Sequence, residues 1–141
     1  MQKGRILVVD DDPMLRELSR CFLEPEGYTV SEAASGKLAA EALMKEGFDV
    51  ITTDLRMPAA SGETLIQWIL AHQPHMRPRI LIITGDPMAK DLRALLDKLG
   101  IPVLPKPYSR DQLLAAIRRV TESSTNEAST GGDRPGNAGA S

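Results

Sequence analysis

Short, continuous apolar runs alternate along the chain with amphipathic segments. Residues 6–9 form an apolar run that ends abruptly in three aspartates and a proline, which is typical of a buried strand followed by a polar loop. Similar runs predict four more strands, at residues 28–33, 50–53, 79–84 and 103–105. Strands that alternate with helices predict an α/β fold, with a parallel sheet covered by helices on both faces.

Five helices are predicted between and after these strands. The first begins at Asp12, an N-cap residue type followed by Pro13, and ends before Gly27. Its predicted apolar positions are Leu15, Leu18 and Phe22, and Cys21 lies among Leu18, Phe22 and Leu23 on what we expect to be a buried face. The other helices are predicted at residues 36–46, around 65–70, at 92–99, and from the capping-box pair Ser109 and Gln112 to Val120.

Length and charge limit the possible functions. A chain of 141 residues with 42% hydrophobic content suits one domain, which we place at residues 1–120. Residues 121–141 lack large apolar side chains, which predicts a disordered tail. The net charge of -2 favours neither direct nucleic-acid binding nor an anionic membrane surface. No run approaches the roughly 20 apolar residues of a membrane span and no signal peptide is evident, so we expect a cytoplasmic protein.

Polar residues follow four of the five predicted strands at the point where each strand ends. These residues are Asp10, Asp11 and Asp12 after the first strand, Asp54 after the third, Thr84 after the fourth and Lys106 after the fifth. They converge on one pocket if the strand order is 2-1-3-4-5, as in a doubly wound, flavodoxin-like sheet.

Carboxylates crowded into one pocket repel one another unless a cation offsets their charge. Mg²⁺ prefers oxygen ligands, retains waters and typically binds one or two carboxylates together with a phosphoryl group. Asp11 and Asp54 suit direct ligands, with Asp10 acting through water. An ionised carboxylate can also attack phosphorus and form an aspartyl phosphate, with Lys106 neutralising charge and Thr84 offering a hydroxyl donor.

Four motifs with compatible spacing give this sequence a family resemblance. They are Val8-Val9-Asp10-Asp11, Asp54-Leu55-Arg56-Met57-Pro58 followed by Gly62, Ile83-Thr84-Gly85, and Lys106-Pro107-Tyr108. Over about residues 4–120 the chain resembles the receiver domains of two-component response regulators. The stretches 83–87 and 103–108 are similar to receivers of hybrid sensor kinases.

The resemblance implies a phosphoacceptor signalling domain, with no enzymatic activity beyond its own phosphorylation and dephosphorylation. Asp54 is then the acceptor, and the donor is the phosphohistidine of a histidine kinase or a histidine phosphotransfer domain. Asp10 and Asp11 form the acidic Mg²⁺ pocket, and the backbone carbonyl of Arg56 is a third metal ligand. Thr84 and Lys106 contact the phosphoryl group, and the family also implies a cis peptide before Pro107. If these 141 residues are the complete polypeptide, we expect signalling through a downstream protein target.

The sequence departs from the family pattern at Val103. Many receivers carry Tyr or Phe there, whose ring moves inward as the threonine engages phosphate, whereas valine has few rotamers. Thr84 and Val103 are therefore the predicted switch positions, without the usual aromatic relay. We also hypothesise that Arg56 and Asp86 form an ion pair across the site mouth that lengthens the phosphoryl lifetime, the alternative being that both are solvated.

Two other functions fit parts of the sequence. Asp10 and Asp12 have the spacing of an Asp-x-Asp phosphatase, although Pro13 favours a helix cap for Asp12 and this reading leaves Asp54 and Lys106 without roles. A receiver-shaped binding module that needs no phosphorylation is the other alternative, and Val103 is the residue that favours it.

Overall fold

Five parallel strands form one sheet in which neighbouring residues of the central strands face opposite sides. The structure, a computed structural model, describes residues 3–54, 62–85, 94, 97, 98 and 100–131. The strands are β1 (Gly4–Val9), β2 (Tyr28–Ala33), β3 (Val50–Thr53), β4 (Ile80–Thr84) and β5 (Val103–Pro105). Their order is β2-β1-β3-β4-β5, which confirms the predicted doubly wound, flavodoxin-like topology.

The helices fall where the amphipathic segments predict them. They are α1 (Pro13–Leu23), α2 (Gly36–Lys45), α3 (Gly62–His72) and α4 (Arg110–Gly131). Residues 94, 97 and 98 are also helical and belong to the helix predicted between β4 and β5, whose other residues lie outside the described ranges. With that helix, five helices accompany the five strands. Short 3₁₀ turns occupy Glu24–Glu26 and Pro74–Arg79.

Two apolar cores lie on the two faces of the sheet. On one face, Leu7, Val9 and Ile51 pack with residues of α2 and α3. On the other face, Ile6 and Val8 pack with residues of α1 and α4. β1 therefore buries both of its faces, which explains why its sequence is a continuous apolar run rather than an alternating one.

Side-chain caps fix the beginnings of two helices that flank the carboxyl edge of the sheet. Asp12 caps α1 by accepting a hydrogen bond from the Met14 N–H at 2.9 Å, with Pro13 in the first turn as predicted. Before α4, the Ser109 hydroxyl accepts from the Gln112 N–H at 3.1 Å, and the Gln112 side chain accepts from the Ser109 N–H at 2.8 Å. The predicted capping box is confirmed.

The predicted buried face of α1 is confirmed at Leu23 and wrong at Leu18 and Cys21. Leu18 and Cys21 are exposed, whereas Ser19 and Leu23 are the buried positions of the helix. Sequence spacing alone favours Leu18 over a serine, but the Ser19 hydroxyl has a hydrogen-bond partner inside the protein, which offsets the cost of burying it. The exposed apolar residues of α1 therefore remain available to other molecules.

The last helix, α4, continues to Gly131, and residues 132–141 lie outside the described ranges. The disordered tail expected for residues 121–141 stays a prediction. No glycine or proline interrupts the sequence between Val120 and Gly131, and each added residue extends a formed helix at little cost. In the part of the chain that is described, no helix is long and apolar enough to span a bilayer.

Candidate functional site

Backbone hydrogen bonds extend the sheet one residue beyond three of its strands and fix the positions of three charged residues. The bonds are Asp10 N–H to the Ala33 carbonyl at 3.1 Å, Asp54 N–H to the Val9 carbonyl at 3.2 Å and Lys106 N–H to the Thr84 carbonyl at 2.8 Å. Because parallel strands end at the same edge, the three side chains start from one line of the sheet. The convergence of these residues, predicted from the sequence, thus follows from the backbone hydrogen bonds between the parallel strands.

The Lys106 ammonium bridges the two buried carboxylates. Its Nζ atom lies 2.7 Å from Oδ2 of Asp54 and 3.2 Å from Oδ2 of Asp10. Asp10 and Asp54 are only 7% and 8% exposed, so these ion pairs are shielded from water and stronger than surface pairs. The peptide bond between Lys106 and Pro107 is cis, as the family resemblance implies.

Burial and charge act in opposite directions on the ionisable groups of this cluster. Burial raises the pKa of Asp10 above its usual value, and the nearby Asp54 charge adds to the increase, against the lowering effect of the Asp12 N–H and of Lys106. Burial lowers the pKa of Lys106, but its hydrogen bond to Asp54 and the two carboxylate charges raise the pKa more. The ammonium is therefore charged at neutral pH and is the counter-charge of the pair.

The three aspartates of the acidic loop after β1 differ in their exposure and hydrogen bonds. The Asp12 N–H donates to Oδ1 of Asp10 at 2.9 Å, while the Asp12 side chain caps α1. Asp11 is exposed. The capping role of Asp12 leaves the Asp-x-Asp phosphatase alternative without its second carboxylate in the site.

Arg16 is a residue of the site that the sequence analysis missed. Its guanidinium donates to the main-chain carbonyl of Asp10 at 2.7 Å and pairs with Glu32 at 3.0 Å. Arg20 donates to the same Glu32 carboxylate at 2.9 Å. These bonds hold the loop after β1 against the end of β2. The only sequence signal is the position of Arg16, one helical turn after the Asp12 cap.

The two predicted switch positions lie on neighbouring strands, with Thr84 as the last residue of β4 and Val103 as the first residue of β5. Thr84 is 1% exposed and pairs with Pro105 in the sheet. Val103 is half-buried, pairs with Ile82 and packs against the core on the α2 and α3 side. Arg56 and Asp86, predicted to supply a metal-binding carbonyl and an ion pair, lie outside the described residues.

Tyr108 is the second residue that the sequence analysis gave no role of its own. Its hydroxyl lies 3.2 Å from the Ser19 hydroxyl, so it joins the loop after β5 to the buried face of α1. Tyr108 also lines a groove of about 350 Å³ beside the cluster, together with Leu15, Leu18, Lys106 and Pro107. Both Leu18 and the neighbouring Met14 are exposed, so an apolar surface adjoins the charged site.

The donor set suits a hard divalent cation. Over the described ranges, no three acidic, histidine or cysteine side chains are gathered closely enough to hold a metal ion by themselves. Mg²⁺ needs only one or two carboxylates beside waters and other oxygens, and Asp10 and Asp54 supply two negative charges against one Lys106 ammonium. The residues present therefore fit Mg²⁺ through their oxygen chemistry and excess negative charge.

Comparison with known proteins identifies relatives of the whole folded region. The family model for the response regulator receiver domain matches residues 6–118. The response regulator protein PmrA of Pseudomonas aeruginosa is 35% identical over 88% of this chain, which spans 55% of that regulator. The chain thus covers about half the length of this curated relative.

Solved structures match the fold as well. A response regulator receiver domain protein from Clostridium thermocellum superposes with a TM-score of 0.76 at 29% identity, covering 87% of this chain and 98% of that one. The response regulator protein TrrA from Thermotoga maritima, in complex with Mg(2+)-BeF, matches with a TM-score of 0.70 at 27% identity, covering 85% and 99% of the two chains.

Proposed function

The chain belongs to the response regulator receiver domain family, and on that premise we propose that Asp54 accepts a phosphoryl group from a phosphohistidine. The observation that carries the proposal is the pair of buried carboxylates, Asp10 and Asp54, held by the single ammonium of Lys106 at the carboxyl edge of the sheet. A structural ion pair alone would not need a second carboxylate, whose charge raises the energy of the first.

Phosphoryl transfer to Asp54 requires positioning and charge neutralisation more than acid or base chemistry. A carboxylate oxygen of Asp54 attacks phosphorus, the P–N bond of the donor breaks, and the imidazole leaves with the electron pair and takes up a proton. Lys106 then pairs with a phosphoryl oxygen in place of the Asp54 carboxylate. The Thr84 hydroxyl donates to another phosphoryl oxygen. Beyond this self-catalysed phosphorylation and its reversal by water, no enzymatic turnover is proposed.

Mg²⁺ is the proposed cofactor. Asp11 and Asp54 would hold it directly, Asp10 would hold it through water, and the Arg56 carbonyl would complete the protein ligands. A bound ion would neutralise negative charge on the phosphoryl oxygens and on the carboxylates. One of the structural relatives is a complex with Mg(2+)-BeF, which supports this assignment.

The apolar groove beside the cluster is the proposed docking surface for the protein that carries the phosphohistidine. Met14 is 78% exposed and Leu18 is 38% exposed, next to the groove that Lys106 and Tyr108 line. A histidine kinase or a histidine phosphotransfer domain must approach this mouth, and exposed apolar side chains there supply contact area. A Leu18→Glu variant should accept much less phosphoryl group from a phosphorylated histidine phosphotransfer domain than the wild type does. The same variant should still be labelled by acetyl phosphate, which needs no docking surface.

Output is proposed to pass to a downstream protein through altered surface contacts, in the cytoplasm. Val103 has no ring to move inward. It pairs with Ile82 in the sheet and packs against the core on the α2 and α3 side. The phosphorylation-dependent change is therefore proposed to start at Thr84 and the loop after β5, without an aromatic relay at position 103. The hypothesis that Arg56 and Asp86 pair to lengthen the phosphoryl lifetime also stands as a proposal.

Incubation with acetyl phosphate and Mg²⁺, followed by intact mass spectrometry, tests the proposal. The wild type should gain the mass of one phosphoryl group, and the Asp54→Asn variant should gain none. Omission of Mg²⁺ should suppress the gain. A wild type that stays unlabelled would instead favour the binding module that needs no phosphorylation, and a gain that persists in Asp54→Asn would place the acceptor elsewhere.

A further inference from the structure

A small cavity lies directly beneath the buried carboxylates. It offers about 10 Å³ of space to the centre of a water molecule, which is close to the smallest volume that admits one water. Its walls include the polar residues Asp10, Ser19, Thr52, Thr53, Asp54 and Tyr108. A cavity of this size with polar walls is the type that water fills in proteins, whereas empty cavities are apolar.

Thr52 is the residue in this wall that most needs a partner. It is 2% exposed, and across the described residues its hydroxyl has no hydrogen-bond partner. In β3 it pairs with Val8 of β1 and lies two residues after Val50, on the same face of the strand, so it faces the α1 and α4 side of the sheet. A buried hydroxyl without a partner is costly, and native proteins seldom leave one.

The hydroxyl groups of Ser19 and Tyr108 offer hydrogen-bond partners to a water molecule in this cavity. One of the two hydroxyls donates to the other across 3.2 Å, which leaves one O–H proton and several lone pairs unused. Ser19 is 3% exposed, so bulk water does not reach its hydroxyl freely. The wall of the cavity therefore holds hydroxyl groups of Thr52, Ser19 and Tyr108 that can still donate or accept hydrogen bonds.

We propose that this cavity is a binding site for one buried water molecule, which joins the Thr52 hydroxyl to the Ser19 and Tyr108 pair. The water links three elements of the molecule. β3 leads into Asp54, α1 begins at the acidic loop, and Tyr108 follows Lys106 and Pro107 in the loop after β5. The site belongs to this chain's own combination of hydroxyl residues and does not depend on phosphorylation.

The Thr52→Val variant tests the proposal through the sign of its effect on stability. Valine keeps the β-branched shape and removes only the hydroxyl. If a water binds Thr52, the variant loses hydrogen bonds and its melting temperature should fall by about 2–4 °C. If the hydroxyl is buried without a partner, its removal relieves a penalty, and an unchanged or higher melting temperature would overturn the proposal.

The adjacent Thr53→Val variant supplies the scale for this comparison. The Thr53 hydroxyl is equally buried but donates to the main-chain carbonyl of Asp54 at 3.3 Å, so its removal measures the loss of one direct hydrogen bond in the same strand. A crystal structure of the wild type gives a second, independent readout. It should show one ordered water within hydrogen-bond distance of Thr52 Oγ1 and of either Ser19 Oγ or the Tyr108 hydroxyl, and an empty cavity would refute the site.

Discussion

Removing the Lys106 charge should destabilise the metal-free protein strongly, although the residue lies at the rim of the sheet rather than in an apolar core. In Lys106→Met, the side-chain length and most of the apolar contact are retained. Asp10 and Asp54 then face each other without the ammonium that lies 3.2 Å and 2.7 Å from their oxygens. The folded protein must either keep two buried charges or take up a proton.

The burial of the three side chains sets the expected size of the effect. Breaking a buried ion pair by removal of one partner costs about 3–5 kcal/mol. Counted over side-chain atoms alone, Lys106 is 19% exposed and Asp10 and Asp54 are 10% and 11% exposed, so solvent reduces the loss of stability only in part. Protonation of Asp10, whose pKa burial already raises, offers further relief. We therefore expect a loss of about 2–4 kcal/mol, or roughly 6–15 °C in melting temperature for a domain of this size.

Thermal unfolding followed by circular dichroism, at pH 7.5 in EDTA, measures this loss. The matched control is Lys37→Met, because Lys37 is an exposed lysine of α2. The control should melt within about 2 °C of the wild type. If Lys106→Met also melted within that margin, Lys106 would not be the counter-charge that permits burial of the two carboxylates, and the electrostatic description of the site would be wrong.

Three further substitutions probe local features of the fold. Asp12→Ala removes the N-cap of α1 and should cost about 1 kcal/mol in urea unfolding, so an unchanged midpoint would contradict the cap. Gly4→Ala should lower stability by more than about 1 kcal/mol, because φ is 142° there and a Cβ would lie 2.7 Å from Oδ2 of Asp49; a neutral result would count against this backbone geometry. Burial raises the pKa of Glu32, but hydrogen bonds from Arg16 and Arg20 lower the pKa by more, so that it lies below its usual value. The stabilising contribution of the Glu32 carboxylate is therefore present above the usual pKa of a glutamate and is lost as pH falls through the lowered pKa of the folded protein. The melting-temperature difference between wild type and Glu32→Gln should therefore shrink in acid, and a difference that grew would contradict the assigned direction.

The parallel sheet and the meeting of charged residues at one of its edges were predictable because both follow from one pattern, whereas the strand order 2-1-3-4-5 was taken from the flavodoxin-like fold. Continuous apolar runs mark strands that are buried on both faces, and in a parallel sheet every such strand ends at the same edge. Asp10 and Asp54 come directly after strands that are buried throughout their last residues, and Lys106 comes directly after the short edge strand β5. Their proximity therefore depends on topology rather than on details of side-chain packing.

Features that depend on pairwise contacts were not predictable. The exposure of Leu18 and the burial of Ser19 were not predictable, because the sequence shows Leu18 as apolar but cannot show that the Ser19 hydroxyl contacts the Tyr108 hydroxyl 89 residues later. The contact of Arg16 with the Asp10 carbonyl likewise joins a helix side chain to a backbone atom, which leaves no pattern in composition or periodicity. The extension of α4 beyond Val120 depends on the absence of a helix breaker rather than on an apolar stripe.

The identity of the phosphorylated residue is the most direct test of the proposed function. Protein labelled with acetyl phosphate and Mg²⁺ can be treated with borohydride, which reduces an aspartyl phosphate to homoserine, and then digested for peptide mass spectrometry. We predict homoserine at position 54, with Asp10, Asp11 and Asp12 unmodified. Homoserine at any of the other three positions, or labelled protein that yields none at position 54, would contradict the assignment of Asp54 as the phosphoacceptor.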